Sequence, residues 1–133
     1  MRIFYSSDSD PMLLDTGAEL NVLHERLTKF LASSAESVSF SAEVTLSPAP
    51  YQEFLRGLRL QKTQGLVMLR LSQDRWLELT GSEANLAKYV SHFKFNNPDR
   101  DDHHHPDNGD FMARGTLCLI VEADSTWGEC NAG

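Results

Sequence analysis

One nine-residue pattern occurs twice in this chain of 133 residues, 64 positions apart. Residues 13–21 read LLDTGAELN, and residues 77–85 read LELTGSEAN. In each copy an apolar run reaches Thr-Gly, where glycine permits a tight turn, and a helix-forming segment follows. The pattern predicts a strand that turns directly into a helix, so two copies of it predict an α+β fold.

The similarity extends beyond these stretches. When residues 2–31 are laid over residues 66–95 without a gap, six positions are identical, and five of them fall within the nine-residue pattern. We interpret the chain as one domain, 1–133, with a possible internal repeat of two ββαββ-like units, 1–64 and 65–123, and a polar tail, 124–133. The alternative is that two α+β segments converged on one pattern without duplication.

Each unit has one apolar helical stripe that must cover a sheet. The spacing predicts a first helix over residues 18–31, with Thr16 as N-cap and Glu19 in a capping box. A second helix starts after Thr80 or Ser82 and ends near Lys94. The predicted fold is a two-layer sandwich in which an antiparallel-rich sheet carries both helices on one face.

Strict alternation over residues 38–46 predicts a strand with one solvated face. Residues 51–55 are predicted as a short helical turn and residues 56–63 as a weaker, more polar strand. Residues 116–123 have apolar side chains on both sides, which is typical of a central strand.

The composition restricts the function. The net charge is -7 and the pI is near 5.1, which argues against nucleic-acid binding, because such proteins contact phosphate with cations. No apolar stretch approaches the roughly 20 residues of a membrane span, and the first residues lack the apolar core of a signal peptide. Cys118 and Cys130 indicate a reducing compartment. We expect a cytoplasmic protein that binds neither membrane nor nucleic acid.

The densest polar segment is residues 101–107. In an extended segment, His103 and His105 project to one side, and Asp102 and His104 to the other. We expect a surface that contacts a partner, and no catalytic residues or cofactor, because the common catalytic motifs are absent from the sequence. The expected partner-binding residues are Asp101, Asp102, His103, His104, His105 and Asp107.

A metal site is the alternative for this segment. His103 and His105 are spaced to ligate a divalent transition metal such as Zn²⁺, Ni²⁺ or Cu²⁺. A catalytic site needs a third ligand, and neither His24 nor His92, both on predicted helices, has a readable relation to the segment.

The second half also resembles a known family. Gly81-Ser82-Glu83, the sequence HHHPD at 103–107 and TLCLIV at 116–121 are similar to motifs of small immunity proteins from bacterial polymorphic-toxin systems. The resemblance covers residues 76–122. It implies a cytosolic protein that occludes a toxin domain and catalyses no reaction. An acidic inhibitor suits a basic nuclease toxin, because opposite charges speed encounter.

Three hypotheses follow from the sequence. The first is a non-enzymatic interaction protein of the immunity type, and the second is a metal-binding protein or metal-dependent enzyme. The third is a structural or regulatory module that forms a homodimer through an edge strand.

Overall fold

The computed structural model of the chain describes residues 1–45, 47–106 and 109–126, and it has the α+β architecture that the sequence predicts. The strands are β1 (Arg2–Ser6), β2 (Ser9–Asp15), β3 (Ser37–Ser41), β4 (Glu53–Phe54), β5 (Gly57–Lys62), β6 (Met68–Leu71), β7 (Trp76–Gly81), β8 (Asp102–His104) and β9 (Ile120–Ala123). The helices are α1 (Gly17–Ala32) and α2 (Glu83–Val90), and a 3-10 turn, Ser91–Phe93, continues α2.

Side-chain caps begin both helices. The Thr16 hydroxyl accepts a hydrogen bond from the Glu19 amide at 3.2 Å, which confirms the predicted start of α1. In α2 the cap is Ser82, whose hydroxyl accepts from the Asn85 amide at 3.2 Å. The second helix therefore begins two residues later than the repeated Thr-Gly pattern alone indicates.

The strands form two sheets, where one sheet was expected. The first sheet has the order β4-β1-β2-β9-β8, and the second has the order β3-β5-β7-β6. Antiparallel pairs predominate, as predicted, and the two parallel pairs are β2–β9 and β5–β7. The strands divide because the chain crosses between sheets at Arg56-Gly57, after β4 has paired with β1 and before β5 pairs with β3 and β7.

Four strands of each sheet have the same arrangement. In the first sheet the hairpin β1-β2 lies parallel to β9, which pairs with β8; in the second the hairpin β6-β7 lies parallel to β5, which pairs with β3. Each sheet thus combines a hairpin from one half of the chain with two strands from the other half, and the first sheet has β4 as an additional edge strand. The duplication itself stays a prediction.

The two hairpins differ in length. Leu13 on β2 lies opposite Ile3, while Leu77 on β7 lies opposite Leu71. The paired residues are therefore ten positions apart in the first hairpin and six positions apart in the second. The ungapped alignment lays β2 over β7, but it displaces β6 by four residues relative to β1 and the start of α2 by two residues relative to α1.

Two strand predictions and one helical-turn prediction need correction. β3 ends at Ser41, because the Glu43 amide donates to the Met1 carbonyl at 2.8 Å and the chain leaves for the first sheet. Leu46 lies outside the described residues. The predicted helical turn at 51–55 was wrong, since β4 lies there, paired with β1. β9 begins only at Ile120, because the Leu117 amide donates to the Leu69 carbonyl of the second sheet at 3.0 Å.

One hydrophobic core joins all the layers. α1 and α2 pack against each other, and their apolar stripes are buried together with the inner faces of both sheets. The fully buried side chains include Leu20 and Leu27 of α1, Leu86 and Tyr89 of α2, and Leu58 and Leu60 of β5. The strand predicted as the weaker, more polar one is therefore a buried central strand.

Candidate partner-binding site

The polar histidine segment forms one outer edge of the first sheet. β8 pairs only with β9 within the described residues, with His103 opposite Glu122 and His104 opposite Val121. The sequence is compatible with a loop or with a loop that contains a short edge strand at 102–105, and the structure has the strand. Asp101, Asp102, His103 and His105 are exposed, whereas His104 is half-buried and Pro106 is buried.

The side chains alternate as an extended strand requires. The rings of His103 and His105 lie on one side with centroids 5.2 Å apart, edge to face. On the other side the Nε2 atom of His104 lies 3.9 Å from the Oδ2 atom of Asp102. The segment therefore presents two imidazoles outward and directs the third toward the body of the protein.

His104 anchors the strand. Its Nδ1 atom lies 2.7 Å from the carbonyl oxygen of His92, so the nitrogen donates and carries the proton. Its ring also stacks on Phe95, with centroids 4.2 Å apart and planes 3° apart. Sequence reasoning grouped all three histidines as contact residues, but His104 is occupied in holding β8 to the segment after α2.

Asp101 fixes the start of β8. Its Oδ1 atom accepts hydrogen bonds from the Ser125 amide at 2.7 Å and from the Ser125 hydroxyl at 2.8 Å. The hydrogen bond from the Ser125 backbone, followed by that from its side chain, lowers the pKa of Asp101 below its usual value. The carboxylate thus stays ionised and ties β8 to the residues that follow β9.

Register adds one residue that sequence reasoning missed. Glu122 lies directly opposite His103 and is half-exposed on the same face of the sheet. No local signal in the sequence identifies it; only the pairing of β8 with β9 does. Asp107, the remaining predicted contact residue, lies outside the described residues.

The described residues contain no group of three or more histidine, cysteine, aspartate or glutamate side chains placed to hold a metal ion. His103 and His105 provide two neighbouring imidazoles, and His92 lies on the other side of the strand, with its ring 6.4 Å from that of His104. His24 lies on α1 beside a groove between the helices. Neither His24 nor His92 completes the predicted metal pair.

Neither helix in the described ranges is both long enough and apolar enough to cross a bilayer. No protein-family profile, curated protein sequence or solved structure matches this chain.

Proposed function

We propose that this chain is a non-enzymatic interaction protein, an immunity-type inhibitor that occludes a basic toxin domain in the bacterial cytoplasm. The observation that carries the proposal is the exposed edge at β8, where His103 and His105 project outward beside the carboxylates of Asp101, Asp102 and Glu122. The chain as a whole has a net charge of -7, so its field attracts a cationic partner.

Rigidity supports a binding role for this edge. The stacked His104 ring and the Asp101–Ser125 hydrogen bonds fix the backbone on both sides of His103. Binding to a fixed strand costs less conformational entropy than binding to a loop that becomes ordered in the complex. The exposed Asp102 carboxylate then contributes to steering and to charge pairing at the contact.

The test is binding to the basic toxin domain encoded beside the gene, measured by calorimetry and by rescue of growth. The variant Asp102→Lys reverses one exposed charge of the edge, and the control Asp8→Lys makes the same change in the exposed β1–β2 turn. Both variants have the same net charge. We expect Asp102→Lys to weaken binding about tenfold or more, or about 1.4 kcal/mol, and Asp8→Lys to change it by less than about twofold.

Two results count against the proposal. If the wild-type protein neither binds nor neutralises the toxin domain, the immunity function is lost. If both lysine variants weaken binding equally, only the overall charge matters and β8 is not the contact surface.

A metal-binding function is the second candidate, because the rings of His103 and His105 are adjacent and both exposed. Two imidazoles bind Zn²⁺, Ni²⁺ or Cu²⁺ weakly unless a further ligand joins them. Elemental analysis of untagged protein, with thermal melts with and without a chelator, tests this function. About one tightly held metal per chain, lost in His103→Gln and retained in the control His24→Gln, would favour it.

We also propose that the chain contains a duplicated ββαββ unit, so that β8 is the counterpart of β3. The equal arrangement of four strands in each sheet supports this, together with the repeated pattern before each helix. We expect β2 and β7 to superpose in a crystal structure at an offset of 64 residues, and α1 and α2 at an offset of 66, because α2 begins two residues later than the repeated pattern. Superposition at unrelated offsets would contradict the duplication.

A further inference from the structure

Within the described residues the two sheets have four edges, and three of them are protected against backbone strand pairing with another chain. β4 is two residues long and carries Glu53, and β8 carries Asp102 and two histidines. β6 is covered by residues 111–117, whose backbone exchanges hydrogen bonds of 2.7–3.0 Å with Val67 and Leu69. Short length, charge and cover are the usual means by which edges avoid association.

The fourth edge, β3, has none of these protections within the described residues. Its sequence is Ser-Val-Ser-Phe-Ser, with no charge and no proline, and it pairs only with β5 there. Val38 and Phe40 are half-buried against the core, and the three serines are exposed. An uncharged edge of this kind is a template for a further strand.

The ladder with β5 determines which backbone groups are available. The Lys62 amide donates to the Glu36 carbonyl and the Ala42 amide to the Arg56 carbonyl, each at 2.8 Å. In an antiparallel ladder every second residue bonds to the partner strand. The backbone N–H and C=O groups of Val38 and Phe40 therefore point to β5. Those of Ser37, Ser39 and Ser41 point to the open edge.

We propose that two copies of this chain associate by antiparallel pairing of their β3 strands about a two-fold axis at Ser39. In this register Ser39 faces its own copy and Ser37 faces Ser41. These are hydrogen-bonded positions, so the three outward residues of each strand supply six backbone bonds in total. The two four-stranded second sheets become one continuous sheet.

The same register pairs the side chains well. Val38 faces Phe40 in a position without backbone hydrogen bonds, where side chains approach most closely and β-branched–aromatic pairs are favourable. Glu36 faces Ala42, and Glu43 faces Ala35, so no carboxylate opposes another. The strand is therefore complementary to itself in shape, in hydrogen bonding and in charge.

The edge also has open space beside it. A cleft of about 320 Å³ borders Ser39, Phe40 and Ser41, with Val22 and Arg26 of α1 on its wall. The contact is small and each chain carries -7, giving -14 for two copies. We therefore expect a dimer that depends on concentration and that tightens as salt screens the repulsion.

Sedimentation equilibrium from about 10 μM to 1 mM protein, at low and high salt, tests the proposal. Ser39→Pro removes an outward N–H group but no bond to β5, so it should give a monomer with a near wild-type melting temperature. The control Ser39→Ala keeps the backbone and should keep the dimer. A wild-type chain that stays monomeric throughout, or a dimer that survives in folded Ser39→Pro, would overturn the proposal.

A charge pair tests the register without proline. Ser37→Lys with Ser41→Glu places opposite charges face to face in the dimer, whereas Ser37→Lys with Ser41→Lys places like charges there. We expect the first pair to dimerise at least as tightly as wild type and the second to dimerise at least tenfold more weakly. The variant with two lysines carries a smaller negative charge than the variant with lysine and glutamate. Overall repulsion alone would therefore make the two-lysine variant dimerise more tightly, and that result would refute the register.

Discussion

Asn21 joins the two halves of the chain through its side-chain amide. Its Nδ2 atom donates to the carbonyl of Phe95 at 3.0 Å, and its Oδ1 atom accepts from the amide of Phe95 at 2.8 Å. The two hydrogen bonds connect residues that are 74 positions apart in sequence, and both bonds are partly buried. Because the Phe95 ring supports His104, Asn21 also sustains the candidate site.

We expect Asn21→Ala to lower the free energy of unfolding by about 2–3 kcal/mol. Each hydrogen bond contributes about 1 kcal/mol, and the backbone groups of Phe95 lose further energy because they are left without a partner. A chain of this length has an unfolding entropy of about 0.28 kcal/mol/K, so the melting temperature should fall by about 7–11 °C.

Asn85→Ala is the matched control, because Asn85 occupies the corresponding place in the repeated pattern and also lies in a helix. Its Nδ2 atom makes one exposed bond of 2.8 Å to the Gly65 carbonyl. We expect a loss of at most about 1 kcal/mol, and the gain in helix propensity from alanine is the same in both variants. Urea unfolding and thermal melts measure both. Equal losses in the two variants would refute the reasoning.

Three further changes have defined outcomes. Gly57→Ala places a Cβ against the Phe40 carbonyl and should cost about 1–3 kcal/mol in urea unfolding; an unchanged midpoint would contradict this. Thr16→Ala removes the cap of α1 and should cost about 1 kcal/mol, and a neutral result would count against the cap. Burial, and then Lys94, lower the pKa of His24, so the unfolded chain binds more protons. Between pH 7.5 and 5.5 wild type should therefore lose more stability than His24→Gln, and equal losses would exclude this.

The sequence predicts the local features of this fold well. The start of α1 at Thr16 depends on neighbouring residues, and it is confirmed. The choice of partner strand could not be predicted in the same way. Period-two alternation at β3 and β5 is compatible with either sheet, and the pairing of β5 with β7 depends on where the chain crosses at Gly57.

In the candidate site, too, some features could be predicted from the sequence and others depend on tertiary contacts. Alternation places His103 and His105 on one side of an extended strand, as the structure has them. The anchoring of His104 by Phe95 and the position of Glu122 opposite His103 depend on tertiary contacts. Sequence spacing carries no information about the register between β8 and β9, so these two roles were not predicted.

The exchange of strands between the sheets makes each half of the molecule dependent on the other. A fragment of residues 1–64 has the β1-β2 hairpin without β9, and β5 without β7, so neither of its strand groups is complete. The link between the halves, at Gln64 and Gly65, is exposed, and Gly65 has a φ of 90° in open space. A chain cut there should give two fragments that stay unfolded alone and assemble when mixed. The monomer therefore resembles an intertwined dimer in which the two halves of one polypeptide take the place of the two chains.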